Sequence, residues 1–266
     1  MDKLQGFVQH NQILTFLILT FIISGAAFVL MWSNSKWQTP ENFEALPVWI
    51  GAVWSPTFSA FIVWSIQGEL LEKLRLVFSI PTFSPWFFIL LVPIFVLIAL
   101  MYFHQSEHFV SPATISFNMI IMLVLLNLVL GPLGEEAGWR GLLLPAIQDK
   151  AGWMAAALII GFIWTVWHAP LWLIKSPQSE IDFLVFSGHV FCYSILMAMI
   201  FMESKGSIIP VIIFHLLVNV ITGYLSLLGS MTVNEIYRVS LYYYAASTIV
   251  IVGVYEILRT KTCQVG

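Results

Sequence analysis

The chain has 266 residues, of which 59% are hydrophobic and 9% charged, and its mean hydropathy is +0.91. Soluble globular domains carry roughly 25% charged residues, so composition excludes that class. A net charge of −3 spread thinly along the sequence argues against a nucleic-acid partner. Cys192 and Cys263, far apart in an apolar chain, imply neither a disulfide framework nor a Cys-rich zinc site.

Apolar runs recur at 12–32, 47–66, 85–103, 113–130, 152–173, 183–202, 207–229 and 239–258, and Glu256 in the last is their only acidic residue. Each approaches the ~20 residues that a helix needs to cross a bilayer. The expected fold is all-α, a polytopic membrane helix bundle of about eight transmembrane helices. Segment 12–32 is too long for a cleaved signal and lacks a small-residue cleavage end, so it reads as the first span. The final Cys263-Gln264-Val265-Gly266 places a Cys where a prenylation signal would, but Gln264 is not aliphatic and Gly266 is not a usual last residue, so this reads as coincidence. With no linker or low-complexity tract, residues 1–266 read as a single integral-membrane domain in contact with the lipid bilayer.

One piece resists simple assignment. Residues 134–148 follow the break at Gly131 and Pro132, and are either a separate crossing or the kinked continuation of 113–130. Lys and Arg placement separates the two, because these residues concentrate on the cytoplasmic side. Eight spans with a cytoplasmic N-terminus put Lys3, Lys73, Arg75, Lys150, Lys205, Arg259 and Lys261 inside and Lys36, Lys175 and Arg238 outside, seven against three. A separate crossing at 134–148 leaves five on each side. The eight-span arrangement is therefore expected, in the cell membrane, with both termini cytoplasmic and one broken helix.

Ionisable side chains at membrane depth are expensive and usually serve a purpose. They occur here in three local patterns. In Gly134-Glu135-Glu136-Ala137-Gly138-Trp139-Arg140-Gly141, Glu136 precedes Arg140 by four residues, the favourable order for an ion pair on one helix face. Glu135 is turned about 100° away, which leaves it without that pair and available as a general base. Around the second, Trp164 lies one turn before His168 and can pack on its imidazole; in the third, His215 and Asn219 share a face. His189 and Glu256 lack such company and read as ordinary hydrogen-bonded groups.

Depth joins the three patterns. From the turn at 149–151, Glu135 and His168 lie ~22 and ~27 Å along their helices, and His215 lies ~12 Å into a span that starts on the same side. If that turn stands about 10 Å proud of the bilayer, all three meet at one level in the cytoplasmic half. The protrusion is expected, since 113–148 is longer than one crossing.

On these residues the chain resembles the CPBP intramembrane protease family, which groups CAAX prenyl endopeptidases with bacteriocin-processing and lysostaphin-resistance-like proteins. The family's Glu-Glu-x-x-x-Arg motif is matched by Glu135, Glu136 and Arg140. Its Phe-x-x-x-His motif is matched at His168, with Trp164 in place of Phe, and its His-x-x-x-Asn motif by His215 and Asn219. The resemblance covers about 113–223, the expected protease-like core. It implies endopeptidase action on a membrane-associated peptide or protein: Glu135 as general base on water, His168 positioning that water, His215 and Asn219 donating to the oxyanion, and Glu136, Arg140 and Trp164 in support. No cofactor is required by that scheme. A catalytic zinc is the alternative, on Glu135, His168 and His215, although the H-E-x-x-H signature is absent. The competing functions are a non-catalytic scaffold, of the immunity or sensor-kinase-partner kind, and a transporter, for which no Gly/Pro-broken inverted repeat is visible.

Overall fold

The computed structural model describes residues 3–40, 42–81, 83–92, 116–227 and 231–264. Among these no strand occurs. The helices taken up below are α1 (Lys3–His10), α2 (Gln12–Ser33), α3 (Leu46–Val53), α4 (Ser55–Gln67), α5 (Leu70–Val77), α6 (Phe117–Val129), α7 (Pro132–Glu136), α8 (Leu144–Ala151), α9 (Trp153–His168), α10 (Phe183–Glu203), α11 (Ile209–Leu227) and α12 (Val233–Gln264). Between α7 and α8 lies a π-helical segment, Ala137–Leu143.

Six helical runs are long and apolar enough to cross a membrane, and a seventh is formed if α3 and α4, bent by 56° at Trp54, make one broken span. They coincide with the apolar runs of the sequence. The remaining expected span, 85–103, is helical from 85 to 92 and otherwise lies outside the described residues. Phe117–Ala151 counts as one run of 35 residues, so 134–148 continues the preceding helix instead of crossing separately. The chain is a multi-pass membrane protein.

Hydrogen bonds define the two ends of the bundle. At one end Gln5 Nε2 donates to Gln67 O (2.8 Å), Ile208 N to Val77 O (2.8 Å), Ser84 Oγ to Glu203 (3.0 Å) and Trp153 Nε1 to Glu256 (2.9 Å). The last contact gives Glu256 the ordinary role expected of it. At the other end Lys175 N donates to Gln38 Oε1 (3.2 Å), Trp172 Nε1 to Ile181 O (2.7 Å) and Asp182 N to Asn234 Oδ1 (3.0 Å). α8 stops at Gly152, whose φ of 80° turns the chain into α9 at the first end, one residue beyond the predicted turn.

The bend at Trp54 is what seats the motif helix. Trp54 Nε1 donates to Val129 O (2.8 Å) and Thr57 Oγ1 to Leu133 O (3.3 Å), while Ser55 Oγ accepts from Trp167 Nε1 (3.2 Å). Backbone meets backbone at this clamp. A Cβ on Gly138 would sit 2.6 Å from the Pro56 carbonyl, and one on Gly134 would sit 2.9 Å from Val53 O. The glycines around the two glutamates are therefore steric requirements. The π segment falls at the same place; such wide turns are inserted one at a time into α-helices, often at functional sites.

Gly138→Ala is expected to destabilise by about 3 kcal/mol, the upper part of the overpacking range, because the opposing atoms are backbone and cannot rotate away. The control is Gly25→Ala in α2, where nothing lies within 4 Å of the added Cβ and a gain of about 0.5–1 kcal/mol is expected. Thermal melts of the purified variants measure both. Equal melting points would refute the close-approach argument.

Candidate active site

Glu135 and Glu136 end α7, Arg140 lies in the π segment, Trp164 and His168 are on the last turn of α9, and His215 and Asn219 are on α11. α6 and α7 pack against α11, and a Cβ on Gly131 would meet Asn219 Nδ2 at 3.2 Å. The three motifs come together as the depth argument requires. Glu135, Glu136, Arg140, Trp164 and His215 are all buried, none more than 4% exposed.

The two carboxylates have different surroundings. Glu136 Oε1 accepts from Arg140 Nη1 (3.2 Å) and from His215 Nδ1 (2.7 Å). Glu135 Oε2 accepts from the indole Nε1 of Trp164 (2.7 Å). A cavity of about 610 Å³ is lined by Glu135, Trp164, His168, His215 and Asn219, and neither Glu136 nor Arg140 is among its described lining residues. Glu135 thus faces open volume while Glu136 faces protein. The Glu136–Arg140 pair is as helical spacing predicts, but Glu136 has a second partner, and His215 is oriented by it.

Trp164 sits at the middle of this arrangement. Its ring lies 5.7 Å from His168 and 5.4 Å, edge to face, from His215. The Arg140 guanidinium carbon stands 4.6 Å from its centroid, within the range of a cation–π contact. Packing on His168 was expected; the hydrogen bond to Glu135 was not. A signal was present, since a buried indole N–H needs an acceptor and the resembling family has Phe there, which has no such group.

Tautomers follow from the acceptors. His168 Nδ1 is 2.8 Å from Trp164 O, and a carbonyl only accepts, so Nδ1 carries the proton and the lone pair of the neutral ring is on Nε2. His168 is wedged between Trp167 (4.6 Å) and Phe186 (5.1 Å), both edge to face. His215 likewise donates from Nδ1 to a carboxylate, so its Nε2 accepts in the neutral ring and donates in the imidazolium. His189 is held by Val185 O and Ser240 Oγ, both at 2.9 Å, and keeps its bland reading. It nonetheless forms part of the cavity wall, with Tyr193 and Tyr237, a placement that no local spacing pattern marks.

The zinc alternative can be tested on the donors. Among the described residues no three His, Cys, Asp or Glu side chains stand together as a metal-holding group. One Glu135 oxygen, Oε2, accepts from the Trp164 indole N–H. As placed, Glu135, His168 and His215 do not fit a three-ligand site, and no step below is routed through a metal.

The lining residues show at which end of the bundle the cavity opens. His168 is the last residue of α9, and the 3₁₀ turn Ala169–Leu173 leads straight into the loop containing Lys175 and Glu180. Thr39, Lys175, Gln178 and Glu180 line the cavity together with the motif residues. The cavity therefore opens at the end of the bundle opposite Gly152.

Comparison with known proteins follows the same stretch. The family described as type II CAAX prenyl endopeptidase, Rce1-like, matches residues 116–221. The CAAX prenyl protease 2 of Methanococcus maripaludis is 36% identical over 111 residues, which is 39% of this chain and 41% of that protein. The match thus spans about two-fifths of that relative's length. Over residues 116–221, where Glu135, His168, His215 and Asn219 converge, the chain is similar to the type II CAAX prenyl endopeptidases of the Rce1-like family.

Proposed function

We propose that the protein is an intramembrane endopeptidase of the cell membrane, with residues 113–223 as its catalytic core and a membrane-associated peptide or protein as substrate. The observation that carries this reading is the pair of adjacent buried carboxylates, of which only Glu135 lines the cavity, fixed by Trp164. A water in the cavity gives its proton to Glu135 as its oxygen attacks the scissile carbonyl carbon. The Nε2 lone pair of His168 is a second acceptor that orients this water. The developing oxyanion takes hydrogen bonds from the Asn219 amide and from Nε2–H of His215 in its imidazolium form, each such donor being worth about 10²–10³ in rate. Glu136 holds that imidazolium in place and Arg140 offsets the remaining carboxylate charge. Glu135 then passes its proton to the leaving amine as the C–N bond breaks.

The test is a membrane-peptide library incubated with purified protein in bilayers in ¹⁸O-enriched water. Release of fragments whose new carboxyl carries ¹⁸O is expected, at a rate unchanged by chelator. Folded wild-type protein that releases no fragment overturns the reading. Chelator-sensitive cleavage restored by Zn²⁺ would instead make Glu135, His168 and His215 ligands and overturn the metal-free mechanism.

A further inference from the structure

Beside the three motifs, the cavity wall carries polar side chains that the hydrolysis above does not use. Asn127 on α6 and Thr222 and Ser226 on α11 all line it. Each donates to a carbonyl of its own helix: Asn127 Nδ2 to Leu123 O (2.8 Å), Thr222 Oγ1 to Val218 O (2.8 Å) and Ser226 Oγ to Thr222 O (2.9 Å). A carbonyl only accepts, so the nitrogen of the Asn127 amide faces Leu123 and the oxygen is left over. No donor among the described residues reaches Asn127 Oδ1. The two hydroxyls have no second proton, so they and Asn127 Oδ1 offer lone pairs to the cavity. These acceptors stand beside the reacting groups. A Cβ on Gly131 would meet the backbone carbonyl of Asn127 at 2.7 Å and Asn219 Nδ2 at 3.2 Å, so the turn after Asn127 lies against the oxyanion amide. On α11, His215, Asn219, Thr222 and Ser226 follow one another at helical spacing, over about 16 Å of one face. Apart from Asn118 at its exposed start, Asn127 is the only polar residue of α6. A polar side chain inside so apolar a helix is costly and usually serves a purpose.

The hydrolysis has donors for the oxyanion and a base for the water, but nothing in it accepts from the N–H groups of the substrate chain. A peptide that enters the cavity loses water from those groups, and a buried N–H without an acceptor is costly. We propose that Asn127, Thr222 and Ser226 form a backbone-binding strip that takes up N–H groups of an extended substrate segment, with Asn127 Oδ1 holding the one beside the scissile bond. This rests on the protease reading and says in what form the substrate is bound. The strip matches about five extended residues at ~3.3 Å each. A helical segment keeps its N–H groups bonded internally beyond its first turn and has nothing to give these acceptors. A helical substrate must therefore unwind along the strip before it is cut.

The test is a cycle between full-length protein in bilayers and peptide. The probe is the library peptide that the wild type cuts fastest, or binds most tightly if none is cut. It is remade with one backbone amide at a time, outside the scissile bond, replaced by an ester, which removes an N–H and adds no bulk. At one position the ester is expected to raise KM about 2–10-fold with little change in kcat, the loss of one hydrogen bond made equally in ground and transition states. Asn127→Leu should raise KM by a similar factor with the unmodified peptide, and the same ester should then have no further effect. Thr222→Val should show this cancellation at a different ester position, and it carries the test if Asn127→Leu does not fold. Asn118→Leu should match the wild type. If Asn127 and Thr222 serve structure alone, the losses multiply at every position, and that result overturns the strip. Binding of dye-labelled forms of the same peptides is read alongside by anisotropy. Cancellation in binding without any cleavage overturns the protease reading alone, and cleavage with multiplying losses overturns the strip alone. Neither binding nor cleavage overturns both.

Discussion

Glu135→Gln is expected to abolish peptide hydrolysis while leaving the protein folded. The substitution removes a base and keeps a shape: the Gln side-chain oxygen accepts from Trp164 Nε1 as the carboxylate oxygen does at 2.7 Å. Removing a general base typically lowers the rate by about 10²–10⁴-fold. The loss should appear in kcat with little change in KM, since Glu135 acts on water and not on the bound chain. The melting temperature should stay near that of the wild type, because the ion pair in this region belongs to Glu136 and Arg140. Glu135→Ala is a poorer test. It leaves a buried indole N–H without an acceptor, at a cost of about 1–3 kcal/mol, so lost activity could reflect lost structure. Full activity in a folded Glu135→Gln protein would remove Glu135 from the role of base.

The reason Glu135 could be singled out from the sequence is local, and what the sequence could not supply is set by packing. Helical spacing alone pairs Glu136 with Arg140 and turns Glu135 elsewhere. Charge-free runs near bilayer length mark the spans without knowledge of any contact. Neither argument fixes the rotation of one helix against another, and that rotation decides that His215 Nδ1 meets Glu136 and that the Trp164 indole meets Glu135. The break at Trp54 was equally hidden. Pro56 was visible, but a proline inside a membrane span is compatible with many geometries. That this one bends by 56° and presses its carbonyl on Gly138 depends on a partner about eighty positions away. The end at which the cavity opens was hidden for a related reason. Counting residues from the turn at 149–151 measures distance along helices, whereas access is set by which loops flank the open volume, and those are the loops holding Thr39 and Lys175.

Replacing Glu136 should cost far more stability than replacing Glu135. Its Oε1 serves both Arg140 and His215, and its side chain has no exposure. Glu136→Ala leaves the Arg140 guanidinium buried without a counter-charge, with the Trp164 ring at 4.6 Å as a weak substitute. Removing one member of a buried ion pair is typically worth about 3–5 kcal/mol. Replacing both members with apolar residues of similar volume is often close to neutral. Glu136→Leu combined with Arg140→Met should therefore melt above either single variant. It should remain inactive all the same, because His215 Nδ1 would have lost the carboxylate that orients the ring. Melting curves of the wild type, both single variants and the double variant measure the coupling, and the library assay measures the second expectation. A Glu136→Ala protein as stable as the wild type would refute the ion pair as a structural element. Recovered activity in the double variant would show that His215 works without Glu136, and the oxyanion role assigned to its Nε2–H would fall with it.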